Sequence, residues 1–226
     1  MPLTASALSK SVQGLYLTAF PTCINAKFPP EKGGSIIPYA MIDCMCTAWC
    51  SVLQAPNAIS GIYVGVTGLA VAAAPPTTFT FPATSTAIVQ FNSAIGWIGT
   101  SSVPVAKAFV VDIPVQSSVL GMLQLLPSAA SGPGAGNPSP IMASSGAAVF
   151  TPLFQAALVA AFNAKLGTDG LPLFNTTSTE VNKLILNLSS IYATIISSIT
   201  FVGAYAGSPT IPVATPLSLP TAGSII

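Results

Sequence analysis

The residues of this chain that could bind a metal or act as nucleophiles are concentrated in one short segment. Cys44, Cys46 and Cys50 fall within seven residues, and the fourth cysteine is Cys23. Four thiolates would suit tetrahedral zinc, but no two cysteines are separated by two residues and the chain has no histidine. In a helix, Cys46 and Cys50 would share a face while Cys44 points elsewhere. We interpret these cysteines as buried free thiols that pack as small hydrophobic groups, with a metal site at Cys44, Cys46 and Cys50 as the alternative.

The acidic residues do not form a recognisable catalytic set. Five carboxylates are scattered singly along the chain: Glu31, Asp43, Asp112, Asp169 and Glu180. Without histidine, neither a Ser-His-Asp nor a Cys-His arrangement can be built, and no GxxxxGK[ST] phosphate loop is present. Asp43 and Asp112 occupy comparable places in two apolar stretches, but Asn187 takes that place in a third. The sequence therefore predicts a protein that is not an enzyme and has no cofactor and no small-molecule substrate.

The composition indicates a surface that other molecules cover. Charged residues make up 5% of the 226 residues and apolar residues 51%, whereas soluble proteins contain roughly 25% charged residues. A net charge of +1, with six lysines and no arginine, provides no basic cluster for nucleic acid. A surface so poor in charge is tolerated in a lipid bilayer or in a protein assembly.

Self-similarity along the chain organises it into three units. Each unit has a short amphipathic stretch, a loop rich in Gly, Pro, Ser or Thr, a longer apolar stretch and a Gly/Ala/Pro-rich tail. The short and long stretches cover 6–20 with 39–54, 86–98 with 105–126, and 151–166 with 180–198. From the start of each long stretch to the proline that ends its tail there are 37, 36 and 37 residues. We predict repeat units at 1–76, 77–145 (with linkers) and 146–216, followed by a C-terminal tail at 217–226 that is free or lies along a neighbour.

Local signals predict where several helices begin and end. Thr151 followed by Pro152 is typical of an N-cap and first helical residue, and Thr179 with Glu180 places an anion at the start of the last helix. Gly99 and Gly167 stand where a C-cap glycine is expected, and Pro114 should kink or break the second long stretch. Core or interface packing accounts for the aromatic residues on predicted helices, which are Trp49, Trp97, Phe109, Phe154, Phe162 and Tyr192.

A small multi-pass membrane protein is the alternative to an assembly. Segment 184–207 carries no charge over 24 residues, long enough to span a bilayer. It also contains several Ser, Thr and Asn residues, and segment 44–75 is broken by proline and glycine. The second long stretch contains Lys107, Asp112 and Pro114, and charges inside a span are costly. These features favour a subunit of a protein assembly over an integral membrane protein. A secreted coat-forming protein is a third interpretation.

The repeat itself resembles a known class of proteins. Segments 153–162 with 185–209, 88–98 with 103–140, and 8–20 with 38–75 combine an aromatic-bearing helix, a Gly/Pro loop, an Ala/Ile/Ser-rich helix and a Gly/Ala/Pro tail. In this they resemble repeated units of some virion structural proteins of large tailed bacteriophages. The resemblance implies a structural component located in the virion, in the capsid, neck, tail or baseplate, whose partners are other virion proteins or copies of itself. It brings no catalytic residues, and the cysteine cluster has no counterpart in the other units.

Taken together, these patterns predict a mainly α fold with short extended segments, built from three diverged helix–loop–helix repeats. Units of this kind stack so that each covers the apolar face of its neighbour. The remaining apolar surface would then be buried against other subunits.

Overall fold

A computed structural model of the chain describes residues 3–19, 36–55, 59–66, 72–73, 79–80, 89–90, 107–125, 139–143, 147–170, 174–197, 200–203, 205–206 and 216–225. Most of the described residues are helical. The helices are α1 (Ala5–Ala19), α2 (Ile36–Leu53), α3 (Ile113–Leu120, preceded by a π-helical turn at Ala108–Asp112), α4 (Ala147–Asp169) and α5 (Thr179–Ser197). The expectation of a mainly helical protein is thus confirmed. The threefold repeat stays a prediction.

Helix α2 is the centre of the helical core. It packs against α1 and α4, while α5 packs against α4 and α1 also contacts α3. From residue 40 onwards α2 buries apolar side chains on most of its circumference, and its polar side is a narrow stripe at Asp43, Thr47 and Ser51. A helix with so wide an apolar surface is stable only when most of it is buried. The outer helices bury one stripe each, as at Leu8, Val12 and Tyr16 of α1, spaced four residues apart.

Aromatic rings link α2 to the two C-terminal helices. The Trp49 ring meets Phe150 edge to face at 5.7 Å between centroids and Tyr192 at 5.1 Å. Phe154 stacks on Phe150 at 5.3 Å and on Tyr192 at 4.8 Å. A separate edge-to-face pair joins Phe162 to Phe174 at 5.2 Å. The expectation that the helical aromatic residues pack in the core is confirmed for those that the structure describes, and Trp97 lies outside the described residues.

Two of the described strands have eight and ten residues, and the others have two to five. They are β1 (Ile59–Val66), β2 (Ala72–Ala73), β3 (Phe79–Thr80), β4 (Leu123–Leu125), β5 (Ser139–Ala143), β6 (Thr200–Gly203), β7 (Tyr205–Ala206) and β8 (Pro216–Ile225). Six of them form an antiparallel sheet in the order β3-β6-β5-β1-β8-β4, and β2 pairs with β7. The segment that the sequence assigned to a C-terminal tail thus lies between β1 and β4 of the same chain.

Some of the predicted helix boundaries are confirmed and others are wrong. Helix α5 begins at Thr179 as expected, and the Ser178 hydroxyl, which donates to Glu180 at 2.6 Å, lowers the pKa of that carboxyl. The N-cap assigned to Thr151 is wrong. Helix α4 begins at Ala147 and contains Pro152, because the apolar residues before Thr151 continue the helical pattern.

The C-cap assigned to Gly167 is also wrong, since α4 continues through it to Asp169. The left-handed cap is Gly170, with φ of 65°, and its N–H donates to the Leu166 carbonyl at 2.9 Å. Cys23, Gly99 and all of the predicted stretch 86–98 except 89–90 lie outside the described residues.

The sequence predicted that Pro114 would kink or break a helix. The structure places Pro114 in the first turn of α3, directly after the π-helical turn. In the π-helical turn the Ile113 N–H donates to the Ala108 carbonyl, five residues back. The next bond in this register would run from residue 114 to the Phe109 carbonyl, but proline has no N–H. The Tyr192 hydroxyl of α5 donates to that Phe109 carbonyl instead. A contact between distant parts of the chain thus compensates for the missing donor.

We expect Gly121→Ala to lower the free energy of unfolding by about 1–3 kcal/mol, as overpacking does. A Cβ at Gly121 would lie 2.7 Å from Ile225 Cγ2 and 3.0 Å from the Ser117 carbonyl oxygen. Neither group retreats easily, because Ile225 is fully buried and the Ser117 carbonyl accepts the Gly121 N–H. Urea unfolding with an unchanged m-value would measure the loss.

The matched control for this variant is Gly14→Ala. Gly14 lies within α1, and a Cβ there would meet nothing within 4 Å. Alanine is the better helix former by roughly 0.8–1 kcal/mol, so this variant should be more stable than the parent. Equal effects of the two substitutions would show that the close approach at Gly121 carries no cost.

Candidate functional site

The cysteine cluster lies on α2, inside the helical core. Cys44, Cys46 and Cys50 are free and buried, and the Cys44 thiol lies 3.6 Å from the Ala161 carbonyl oxygen, to which it donates. Burial raises the pKa of the Cys46 thiol far above its usual range, with smaller contributions from Cys50 and Asp43, and burial raises the pKa of Cys50 to about 12. Neutral thiols are poor nucleophiles and poor metal ligands. Among the described side chains, no three His, Cys, Asp or Glu residues are grouped to hold a metal ion.

The most developed polar cluster of the described surface surrounds Asp43. Its Oδ1 accepts hydrogen bonds from the Ser9 hydroxyl and, at 2.8 Å, from Gln13 Nε2. Its Oδ2 lies 3.5 Å from the Lys165 ammonium. Gln13 Nε2 also lies 3.0 Å from the Ser9 oxygen and 3.4 Å from the Tyr39 carbonyl oxygen. The Asp43 cluster, defined as Ser9, Gln13, Asp43 and Lys165, therefore joins α1, α2 and α4.

Two shallow grooves meet at the Asp43 cluster. One, of about 460 Å³, lies between α1 and α2. Its lining includes three members of the cluster, Ser9, Gln13 and Asp43, together with Ser6, Lys10 and Thr47. The other, of about 270 Å³, lies between α2 and α4. The Asp43 side chain is 42% exposed and Lys165 27%, so water screens the pair. With its carboxylate engaged by three donors, the cluster is suited to holding helices together rather than to acid–base chemistry.

Replacing Asp43 by alanine should destabilise the fold by about 1–2 kcal/mol, below the full value of charged hydrogen bonds because the carboxylate is partly exposed. The Ser9 hydroxyl and the Gln13 amide both lose their shared acceptor. Lys165→Ala removes the longest of the three contacts to Asp43 and should cost less than about 1 kcal/mol. Chemical unfolding of both variants tests this order, and a larger loss for Lys165→Ala would contradict it.

The second carboxylate that the sequence singled out is also paired. Asp112, at the end of the π-helical turn, lies 2.5 Å from the Lys107 ammonium, with 9% of its side chain exposed. Asn187, which the sequence placed at the comparable position of the predicted third unit, lies exposed on α5. The two aspartates thus act in separate ion pairs. Sequence reasoning missed Ser9 and Gln13, although their i, i+4 spacing on α1 was a signal that they share a face.

The exposed faces of α4 and α5 contain few charges. The structure describes the side chains of α4 from 150 to 168, and the exposed ones among them are Pro152, Leu153, Ala156, Ala160, Asn163, Ala164, Gly167 and Thr168. On the part of α5 that is C-terminal to Lys183, the exposed residues are Leu186, Asn187, Ser190 and Thr194. Neither of these two sets includes a charged side chain.

Large apolar side chains are also exposed among the described residues. They are Leu15, Val89, Val119, Met122, Leu153 and Leu186, with exposures between 40% and 69%. None of the described helices is both long enough and apolar enough to cross a membrane.

Comparisons with protein families, with characterised proteins and with solved structures found no match to the chain.

Proposed function

We propose that this protein is a non-enzymatic structural component of a virus particle, in its capsid, neck, tail or baseplate. It acts by burying uncharged and apolar surface against neighbouring subunits, which are other virion proteins or further copies of this chain. The observation that carries the proposal is the scarcity of charge on the exposed faces of α4 and α5, together with exposed leucines on both helices. Such faces suit the interior of an interface, where charged residues are depleted.

The internal organisation supports an architectural role. Under this proposal, three diverged helix–loop–helix units each contribute a similar apolar face, and stacking buries those faces both within and between subunits. The paired state of Asp43 and Asp112 fits the same role, because neither carboxylate is left to act as a free acid or base. The likeness to repeat units of large bacteriophage virion proteins is the reason for choosing a virus particle over other assemblies.

Co-purification tests the location. Particles from the native source are purified on a density gradient, and the fractions are analysed by mass spectrometry for this chain. We expect it to be enriched in step with the particle's other proteins and to remain bound through repeated gradients. A chain that stays at the top of the gradient, or that requires detergent for extraction from membranes, would refute the proposal.

A charge introduced on an exposed face tests the mechanism. Leu186 is 55% exposed, so Leu186→Lys should leave folding intact while preventing incorporation into particles, because a lysine would be buried without a partner. The control is Ala7→Lys, which adds the same charge at an exposed position of α1, away from the exposed faces of α4 and α5. Incorporation of the Leu186 variant at the parental level would contradict burial of this face.

A further inference from the structure

Ion pairs within the chain account for only part of its described charge. The structure describes seven charged side chains, and two ion pairs join four of them. The other three are exposed and belong to no ion pair among the described residues; they are Lys10 on α1, and Glu180 and Lys183 on α5. Complementary charges across an interface fix how two subunits are oriented. In a chain with 5% charged residues, these three side chains therefore mark candidate contacts.

The groove between α1 and α2 combines one of these charges with a carboxylate that can accept a further donor. Lys10 lines the α1 wall and Asp43 the α2 wall of this groove, whose volume is about 460 Å³. A carboxylate offers about four acceptor positions. Asp43 receives three donors from its own chain, and 42% of its side chain remains exposed. The groove therefore presents a cation on one wall and an accessible anion on the other.

The start of α5 presents the complementary pair of charges. Four of its first five residues are exposed, so this end projects from the helical core. Glu180 and Lys183 are three residues apart and share a face, with about 5–6 Å between their Cβ atoms. The axes of packed helices such as α1 and α2 lie roughly 8–10 Å apart, and the long side chains of Lys10, Glu180 and Lys183 can span the difference. An anion for Lys10 and a cation for Asp43 thus stand at a matching spacing.

We propose that the first turn of α5 of one copy docks in the groove between α1 and α2 of another copy, with Glu180 against Lys10 and Lys183 against Asp43. The two halves of this contact lie on different elements, since α1 packs against α2 whereas α5 packs against α4. The contact is therefore heterologous, and each copy offers its groove to one neighbour and its α5 to another. Repetition joins copies head to tail into a ring or a filament. The inference rests on the proposed assembly role and names a second copy as the partner.

Charge exchange between two full-length variants tests the contact. Lys10→Glu and Glu180→Lys should each weaken self-association at least about tenfold relative to the parent, because each substitution brings like charges together. Mixed in equal amounts, the two variants should associate as strongly as the parent, since opposite charges meet again at both kinds of contact in an alternating chain. Sedimentation velocity at several protein concentrations would measure the association. Both positions are exposed, and circular dichroism would check that each variant is folded.

The matched control is the double variant Glu180→Gln with Ser51→Lys. It has the same net charge as Glu180→Lys, but its added lysine lies at an exposed position of α2 outside the groove lining. Mixed with Lys10→Glu, it should recover less association than the charge-exchanged mixture, because only one of the two contacts regains opposite charges. A parent protein that stays monomeric, single variants that associate like the parent, or equal recovery in the two mixtures would overturn the proposal. None of these results decides whether the chain co-purifies with particles, so the two proposals fail separately.

Discussion

Trp49→Ala should lower the free energy of unfolding by about 3–5 kcal/mol, the usual cost of removing a large aromatic side chain from a core. The Trp49 ring is fully buried on the central helix and contacts Phe150 and Tyr192. Its indole Nε1 donates at 3.2 Å to the Ser117 hydroxyl, which itself donates to the Pro114 carbonyl at 2.6 Å. The substitution thus opens a cavity between α2, α4 and α5 and removes a buried hydrogen bond to α3. Urea unfolding followed by circular dichroism would measure the loss.

Two variants separate the cavity from the hydrogen bond. Trp49→Phe keeps an aromatic ring but not the indole donor, so its loss should fall between those of the parent and the alanine variant. Leu186→Ala removes a side chain that is 55% exposed and should change stability by less than about 0.5 kcal/mol. A Trp49→Ala protein as stable as the Leu186 variant would contradict the placement of Trp49 in the core.

Alkaline pH should destabilise the fold steeply, starting near pH 9. Burial raises the pKa of Cys46 and Cys50 from an ordinary value of 9.0, and burial with a smaller contribution from Tyr39 raises the pKa of Tyr16 from 10.0 to about 12. Burial and the nearby Cys46 raise the pKa of Tyr192. These groups are neutral when protonated, and the folded protein holds their protons at a pH at which the unfolded chain releases them.

The sign of the pH dependence follows from this difference in bound protons. Stability is fully present below the unfolded pKa values and falls as pH rises above them, because the unfolded state then binds fewer protons than the folded state. Well above its unfolded pKa each group contributes a slope of about 1.4 kcal/mol per pH unit. At pH 9 only about half of the unfolded thiols are ionised, so the two thiols together lower the free energy of unfolding by about 2 kcal/mol between pH 9 and 10. The tyrosines add to this slope above pH 10. Urea midpoints measured at several pH values would give the slope.

The control is the double variant Cys46→Ala with Cys50→Ala. It loses some packing at every pH, so its absolute stability is not the relevant quantity. Its slope between pH 9 and 10 should be shallower than that of the parent by the contribution of the two thiols. Identical slopes in both proteins would mean that these thiols titrate at the same pH in the folded and unfolded states.

The amino-acid sequence determined the helical elements to within a few residues wherever hydrophobic spacing was unambiguous. Helix α1 was predicted at 6–20 and occupies Ala5–Ala19, and α5 was predicted at 180–198 and occupies Thr179–Ser197. Helical periodicity and the Thr179–Glu180 start are local signals, and local contacts decide them. Burial of the aromatic residues also followed from composition, because a chain with 51% apolar residues buries its largest side chains first.

Only the tertiary structure decided which residues meet. No local pattern indicates that Ser9 and Gln13 would donate to Asp43. Nor does one indicate that the Tyr192 hydroxyl would donate to the Phe109 carbonyl, five residues before Pro114. The tail assigned to 217–226 became a strand because β1, more than 150 residues earlier, offers it a backbone partner. Gly121, unremarkable in sequence, is needed because Ile225 approaches it. Hydrogen-bond partners and close approaches between distant segments depend on the path of the whole chain, which hydrophobic periodicity does not encode.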